Sequence, residues 1–233
     1  HDVFHDYAAA IEGPITPQTE GYDADTYRDI PAGLERARTT LERSGWLVNP
    51  ADGMRYKTIG KDRLKLEFTA ITPDLSFLTD TMKIVQTNWA AIGVELHISS
   101  MSPEDMQKGP LKTRNYEMAV FGNVLKGNPD IFAFWHSSQK FYPGLNLSLY
   151  DNKAADTILA SVQKMEQRDM AQLKKLQEMM RDDAPAGFLV NPNYLYALPL
   201  NLQGFDADGI IVSENRLKSA GAWFVRTRRQ FKK

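Results

Sequence analysis

The stretch between Leu64 and Ile98 constrains the fold more than any other part of the chain. Leu64, Leu66 and Phe68 alternate with Lys65 and Glu67, the period of a strand with one apolar face. Residues 74–92 then place Met82, Val85, Trp89 and Ile92 on one helical face, with Asp74 in position to cap. Gly93 ends that helix, and Val94, Leu96 and Ile98 alternate once more. Strand, helix and strand in immediate succession predict a right-handed crossover between parallel strands, so the chain reads as α/β.

The flanking segments fit the same class. A helix over residues 32–44 carries Leu34, Ala37 and Leu41 and stops at Gly45. Residues 54–59 read as a short strand between the turns at Asn49-Pro50-Ala51-Asp52-Gly53 and Gly60-Lys61-Asp62. Pro103 opens a helix that is interrupted near Gly109-Pro110, and residues 117–122 are apolar enough for a central strand. A short helical piece is expected over residues 131–136. Two helices follow, lined by Ile158, Val162 and Met165 and by Leu173, Leu176 and Met180, and Pro185 closes them. Phe188-Leu189-Val190 and Tyr194-Leu195-Tyr196 read as strands, and Gly204, Gly209 and Gly221 punctuate a closing meander. Residues 1–31 read as irregular after a short helical start. A loop of that length is uncommon at the start of a free-standing domain, which suggests a chain belonging to something larger.

Composition removes several function classes. Lys plus Arg (28) nearly balance Asp plus Glu (29), for a net charge of −1, without the basic excess of a nucleic-acid binder. The tail Arg226-Thr227-Arg228-Arg229-Gln230-Phe231-Lys232-Lys233 reads as a solvated terminal run. With no cysteine there is no disulfide, thiolate ligand or thiol nucleophile. No apolar run reaches the roughly 18 residues a membrane helix needs. The four histidines show no HExxH and no Cys/His pattern; His1 and His5 share the i, i+4 spacing of a helical metal pair but read as part of a frayed terminus, no serine sits in a nucleophile elbow, and no phosphate-binding glycine loop is present. No cofactor, metal or catalytic residue is therefore assigned.

The segment 121–139 is richer. It leaves the carboxyl end of an expected strand, where open α/β sheets place their ligands. It combines Gly122, Asn123, Lys126, Asn128 and Asp130 with Phe132, Phe134 and Trp135, and Asn146 follows shortly after. Glycines, amides, charges and aromatics suit a small-molecule cleft, and they equally suit a structural loop whose aromatics plug the core. Trp135 accordingly reads either as a ring stacked over ligand or as core packing.

The same segment, continued through Gly144-Leu145-Asn146-Leu147-Ser148-Leu149-Tyr150-Asp151-Asn152 and Ala155-Asp156, resembles the peptide/nickel class of ABC-transporter extracellular solute-binding proteins, family 5. In that family a strand leads to a D-P-D-like turn, then N-x-x-x-Y-x-N and an aspartate that opens a helix. Gly13-Pro14-Ile15-Thr16-Pro17 is similar to the family's G-P-I-x-P, and Trp89-Ala90-Ala91-Ile92-Gly93-Val94 to its L-x-x-I-G-I/V. Ser44-Gly45-Trp46, Asp183-Ala184-Pro185 and Gln203-Gly204-Phe205 match further landmarks in order. The resemblance implies a periplasmic-binding-protein type II-like fold in two lobes that close over ligand by a hinge. Residues 1–200 would form the second lobe and residues 201–233 a return segment toward the first.

It further implies a peptide or other small polar solute, held by Gly122, Asn123, Lys126, Asn128, Asp130, Trp135 and Asn146. The partners implied are the membrane permease subunits of an importer; the protein would be a monomer, periplasmic or anchored outside the cell by an upstream signal or lipid. One departure bears on the ligand. Peptide-binding members often carry an acid just before the turn to meet the peptide's ammonium, whereas this chain has Leu125-Lys126-Gly127-Asn128 there. Asp130 is the nearest substitute, and Lys126 either favours an anionic ligand or points to solvent. Two other readings stay open: a ligand-sensing domain of a regulator, and an unrecognised α/β hydrolase.

Overall fold

The alternating segments do form a parallel sheet, but its boundaries are set by contacts that sequence periodicity does not reveal. The computed structural model describes residues 3–17, 19–28, 33–125, 130–164, 169–208, 210 and 212–225. Strand β1 (Ala8–Ala10) comes first, followed by α1 (Leu34–Arg43), β2 (Leu47–Val48), β3 (Arg55–Ile59) and β4 (Asp62–Lys65). Next are β5 (Glu67–Pro73), α2 (Ser76–Ala90), β6 (Glu95–Met101), α3 (Pro103–Lys108), α4 (Pro110–Thr113) and β7 (Met118–Ala119). A short α5 (Phe132–Trp135) precedes the pair α6 (Lys153–Lys164) and α7 (Met170–Asp183), and β8 (Val190–Pro192), β9 (Leu202–Gln203) and β10 (Phe224–Val225) complete the order.

Strands β6, β5 and β7 form a three-stranded sheet in that order. Both pairings are parallel, with Glu67 opposite Glu95, Pro73 opposite Met101 and Ala70 opposite Met118. The expectation of a central strand at residues 117–122 is corrected: β5 is central, and β7 pairs only with β5 among the described residues. The single strand expected over residues 64–68 is in fact two. Strands β2, β3 and β4 make a separate antiparallel meander. Leu66 is the junction, its N–H donating to Arg55 O at 2.8 Å while its carbonyl accepts from Glu95 N at 3.0 Å. One residue thus passes the chain from one sheet to the other.

Other boundaries moved for identifiable reasons. Asp74 does not cap α2; the N-cap is Leu75, whose side chain makes no capping bond. The short helical start is replaced by β1, which pairs antiparallel with β8. Residues 194–196 form no strand, and Tyr194, Leu195 and Tyr196 are 58%, 69% and 46% exposed. Met165 and Gly209 lie outside the described residues.

Two apolar layers hold the fold. Ala70, Met82 and Leu96 join α2 to the sheet, and Leu66, Ile92 and Val94 pack under Ala37, Leu41 and Trp46. The larger core gathers Ile131, Trp135, Tyr150, Ile158, Leu159, Leu173, Leu176 and Met180 around Ile15. Each of these large side chains contributes about 1.5–3 kcal/mol on burial. Ile15 shows that the amino-terminal segment is part of the core. Gly13, two residues earlier, is fixed by Tyr27: a β-carbon there would lie 1.9 Å from the buried tyrosine's oxygen.

A buried arginine ties the meander to the crossover. Arg55 is 1% exposed and donates from Nε to Ile92 O at 2.6 Å, from Nη1 to Trp46 O at 2.8 Å and from Nη2 to Glu42 at 3.2 Å. Gly93 beside it has φ +79°, and a β-carbon would meet Gly53 O at 2.8 Å, so only glycine fits. Arg55→Ala leaves two carbonyls and a carboxylate without their donor. It is expected to cost about 3 kcal/mol, read as a lower urea midpoint at unchanged slope. A loss under about 1 kcal/mol would mean that water replaces the guanidinium.

Candidate functional site

The carboxyl ends of β5, β6 and β7 open into three neighbouring segments: Pro73-Asp74, Met101-Ser102 and residues 120–125. Val120 extends the ladder by donating to Ile71 O at 2.9 Å. Beyond it Phe121, Gly122, Asn123 and Val124 are exposed. This is the edge at which parallel sheets bind ligands. Gly122 and Asn123 therefore stand where the sequence expects cleft residues. Lys126 and Asn128 lie outside the described residues. Asp130 is half-buried, and its Oδ1 accepts from Phe132 N at 3.1 Å, fixing the start of α5.

Trp135 and Asn146 are turned inward. Trp135 is 6% exposed, with its ring edge-on to Tyr150 at 6.4 Å and tilted against Phe188 at 5.8 Å. Both neighbours belong to the helical core, so of its two readings the structure favours packing over stacking on a solute. Asn146 is fully buried. Its Nδ2 donates to Trp135 O at 3.2 Å, His136 O at 3.1 Å and Tyr150 O at 2.9 Å. Its Oδ1 accepts from Tyr150 N at 3.1 Å and Ser148 Oγ at 3.2 Å. The amide closes a polar knot across the 135–150 segment, and its donors and acceptor are taken up within the protein.

The knot extends outward through residues the sequence did not single out. Arg114, at the end of α4, donates to Lys140 O at 2.7 Å, to Gly144 O at 2.6 Å and to Leu111 O. The Tyr116 hydroxyl donates to Leu147 O at 2.5 Å. Tyr150 donates to Asp183 at 2.6 Å; burial, with the carboxylate's help, pushes its phenol well above the ordinary range. Asn152, rather than Asp156, caps α6, its Oδ1 accepting from Ala154 N and Ala155 N. The only sequence sign of these roles was the spacing of Asn146, Tyr150 and Asn152, which reads equally well as a set of ligand contacts.

One cluster superficially resembles a serine nucleophile with a lysine base. Ser137 Oγ lies 3.1 Å from Lys153 Nζ and 2.6 Å from Asp156 Oδ2. Lys153 is held above its ordinary pKa by its hydrogen bonds to Asp156 and then to Asp151, which favours its ammonium form. Burial alone would raise Asp156. The hydroxyl and N–H of Ser137, followed by Lys153, outweigh it and bring the carboxyl below its ordinary range. The serine is thus a donor that orients a charged carboxylate.

Among the described residues one group has metal-ligand character: Glu67, Glu95 and His97, whose ligand atoms lie within 4.8 Å of one another. Lys65 already sits among them, bonded to Glu95 and 3.4 Å from Glu67. It relieves the repulsion between two carboxylates that the register places opposite each other. The group lies at the amino ends of β5 and β6, away from the exposed loop.

The sequence model of bacterial extracellular solute-binding proteins, family 5, middle region, matches residues 1–143. The chain belongs to this family. The oligopeptide-binding protein AppA of Bacillus subtilis is 28% identical over 200 residues, covering 82% of this chain and 35% of that protein. The structure of AppA in complex with a nonapeptide superposes with a TM-score of 0.77 at 24% identity, over 97% of this chain and 44% of AppA. NikZ of Campylobacter jejuni in complex with Ni(L-His) gives a TM-score of 0.72 at 19% identity, over 95% of this chain and 44% of NikZ. The fold is that of the type II periplasmic solute-binding proteins, and the chain spans well under half the length of these relatives.

Two outcomes follow from the knot. Asn146→Ala is expected to cost about 2–4 kcal/mol in urea denaturation and to weaken the near-ultraviolet circular dichroism of Trp135, because it leaves buried carbonyls unpaired. For Asp156, a folded-state pKa below the unfolded value of about 3.9 means stabilisation present above that pH and lost as pH falls through the folded pKa. The stability gap between wild type and Asp156→Asn should therefore be full at pH 7 and close below about pH 4.

Proposed function

We propose that this chain is the second lobe of the substrate-binding component of an ABC importer. In this reading residues 1–200 form the lobe, and residues 201–233 return toward a first lobe in the complete protein. The ligand is a peptide or a related polar organic solute, gripped between the lobes. The observation that carries the reading is an exposed loop, residues 121–124, at the carboxyl end of a parallel sheet in a family 5 fold, with Leu125 packed against the core that Trp135 and Tyr150 share. A rigid support lets such a loop meet ligand with little ordering cost. Gly122 allows close backbone approach and Asn123 offers donor and acceptor; Lys126, Asn128 and Asp130 are the further ligand contacts of this reading. Trp135 and Asn146 contribute indirectly, by ordering the 135–150 segment that follows.

AppA, described as an oligopeptide-binding protein, supports the peptide choice. Membership in a family of extracellular solute-binding proteins supports a place outside the cytoplasm and permease subunits as protein partners. The reading assigns no chemical step.

The complete protein, incubated with a mixed library of three- to nine-residue peptides and desalted, is expected to retain peptides in native mass spectrometry. Asn123→Ala should retain them at least severalfold more weakly. Retention of a non-peptide solute alone would keep the receptor reading and overturn the peptide assignment.

A further inference from the structure

Resting on the receptor reading for its orientation, we infer that the β3–β4 hairpin docks the protein on an anionic lipid surface. The antiparallel register fixes which residues share a face: Arg55 lies opposite Val48, Lys57 opposite Leu64 and Ile59 opposite Asp62. Arg55, Lys57 and Ile59 alternate along β3, so the face that buries Arg55 at its base carries Ile59 and Leu64 at its tip. At the tip nothing in the described fold covers that face. Residues 58–64 are exposed throughout, Ile59 to 54% and Leu64 to 45%. Among the described residues neither joins an apolar core, and a β-carbon on Gly60 in the turn would meet nothing within 4 Å.

Charge selects the occupant. Residues 54–65 carry five basic side chains and one acid, Asp62, in a chain whose net charge is −1. Two of the five are neutralised within the fold, Arg55 by Glu42 and Lys65 by Glu67 and Glu95. Lys57, Lys61 and Arg63 form no ion pair among the described residues, and Asp52 nearby is held by the Tyr56 hydroxyl. Apolar side chains set among such cations complement an anionic bilayer, which meets the cations at its phosphates and the apolar groups just beneath them. A stable protein interface engages roughly 20–30 residues on each side. This tip offers seven on a single turn, so a lipid surface, which needs no matching pocket, fits it better.

The hairpin is also placed clear of the cleft. Leu64 and Lys65 lead into the amino end of β5, whereas the 121–124 loop leaves the carboxyl end of the sheet. In the receptor reading the first lobe closes over the carboxyl edge, which leaves the amino end open. That end carries a second apolar projection. Arg114, four residues ahead of β7, holds a turn that exposes Phe141 to 71% and Tyr142 to 61%, with Lys112 Nζ 5.3 Å from the Tyr142 ring. Aromatic rings beside cations suit the headgroup level of a bilayer.

The test sediments the complete protein, expressed without lipid attachment, with vesicles of phosphatidylcholine alone or with about one-third phosphatidylglycerol. Wild type is expected to partition roughly tenfold or more in favour of the anionic vesicles, and to be released as salt rises to about 0.5 M. Lys61→Glu with Arg63→Glu should remove that preference. Ile59→Ser with Leu64→Ser should weaken binding about fivefold with every charge in place. These side chains are exposed, so both double variants should melt within about two degrees of wild type and retain peptide as wild type does. Equal partition of wild type onto both vesicles, or none onto either, overturns the inference. Wild-type partition by both double variants overturns the assignment to this hairpin. Capture on immobilised polyglutamate without binding to anionic vesicles overturns the lipid choice and makes the occupant an acidic protein. Failure of wild type to retain peptide removes the receptor reading, and vesicle partition is read separately from it.

Discussion

The carboxamide of Asn146 is the constraint on which the functional half of this structure depends. Taking an amide out of water costs several kcal/mol unless its bonds are remade, and here all are. It spans the end of α5, the following turn and Tyr150, three pieces of backbone with no ladder of their own. Without it, the segment between the parallel sheet and the helix pair would have to satisfy those carbonyls with water, which the apolar packing of Trp135, Tyr150 and Leu159 excludes. Core and knot therefore require each other. The aromatic side chains keep water out, and the amide makes a dry interior tolerable for irregular backbone.

From that support the rest of the fold can be understood as a platform. The β5–α2–β6 crossover gives a parallel edge, Arg55 locks the crossover to the meander beside it, and the chain leaves β7 as an exposed loop. A rigid scaffold beneath an exposed loop is the arrangement in which loops carry function. It also accounts for the charged cluster around Ser137 and Asp156, which fastens α6 to the turn after α5.

Local periodicity made much of this legible. The α2 and β6 segments, the two long helices and the break at Gly109-Pro110 all follow from patterns within a few residues. The readings that failed depended on distant partners. Nothing near Leu66 announces that its N–H and carbonyl serve different sheets. Tyr194, Leu195 and Tyr196 have strand-forming side chains but pair with no strand among the described residues. Asp74 has the right chemistry for a cap, and the helix starts one residue too late to use it. The candidate site divides in the same way. Gly122 and Asn123 are exposed after a strand, as their position in the sequence implies. Asn146 and Trp135 have the composition of ligand contacts, and only burial, which arises from long-range packing, distinguishes a contact from its support.

The central claim is that residues 137–150 form a finished frame before ligand arrives, while residues 121–125 await it. Hydrogen exchange followed by mass spectrometry on the complete protein, with and without the peptide library, tests this directly. The account expects slow exchange over residues 137–150 in both states and new protection over residues 121–125 only when ligand is bound. Fast exchange over residues 137–150 in the free protein, slowing only with ligand, would contradict it, because the frame would then be made by the ligand.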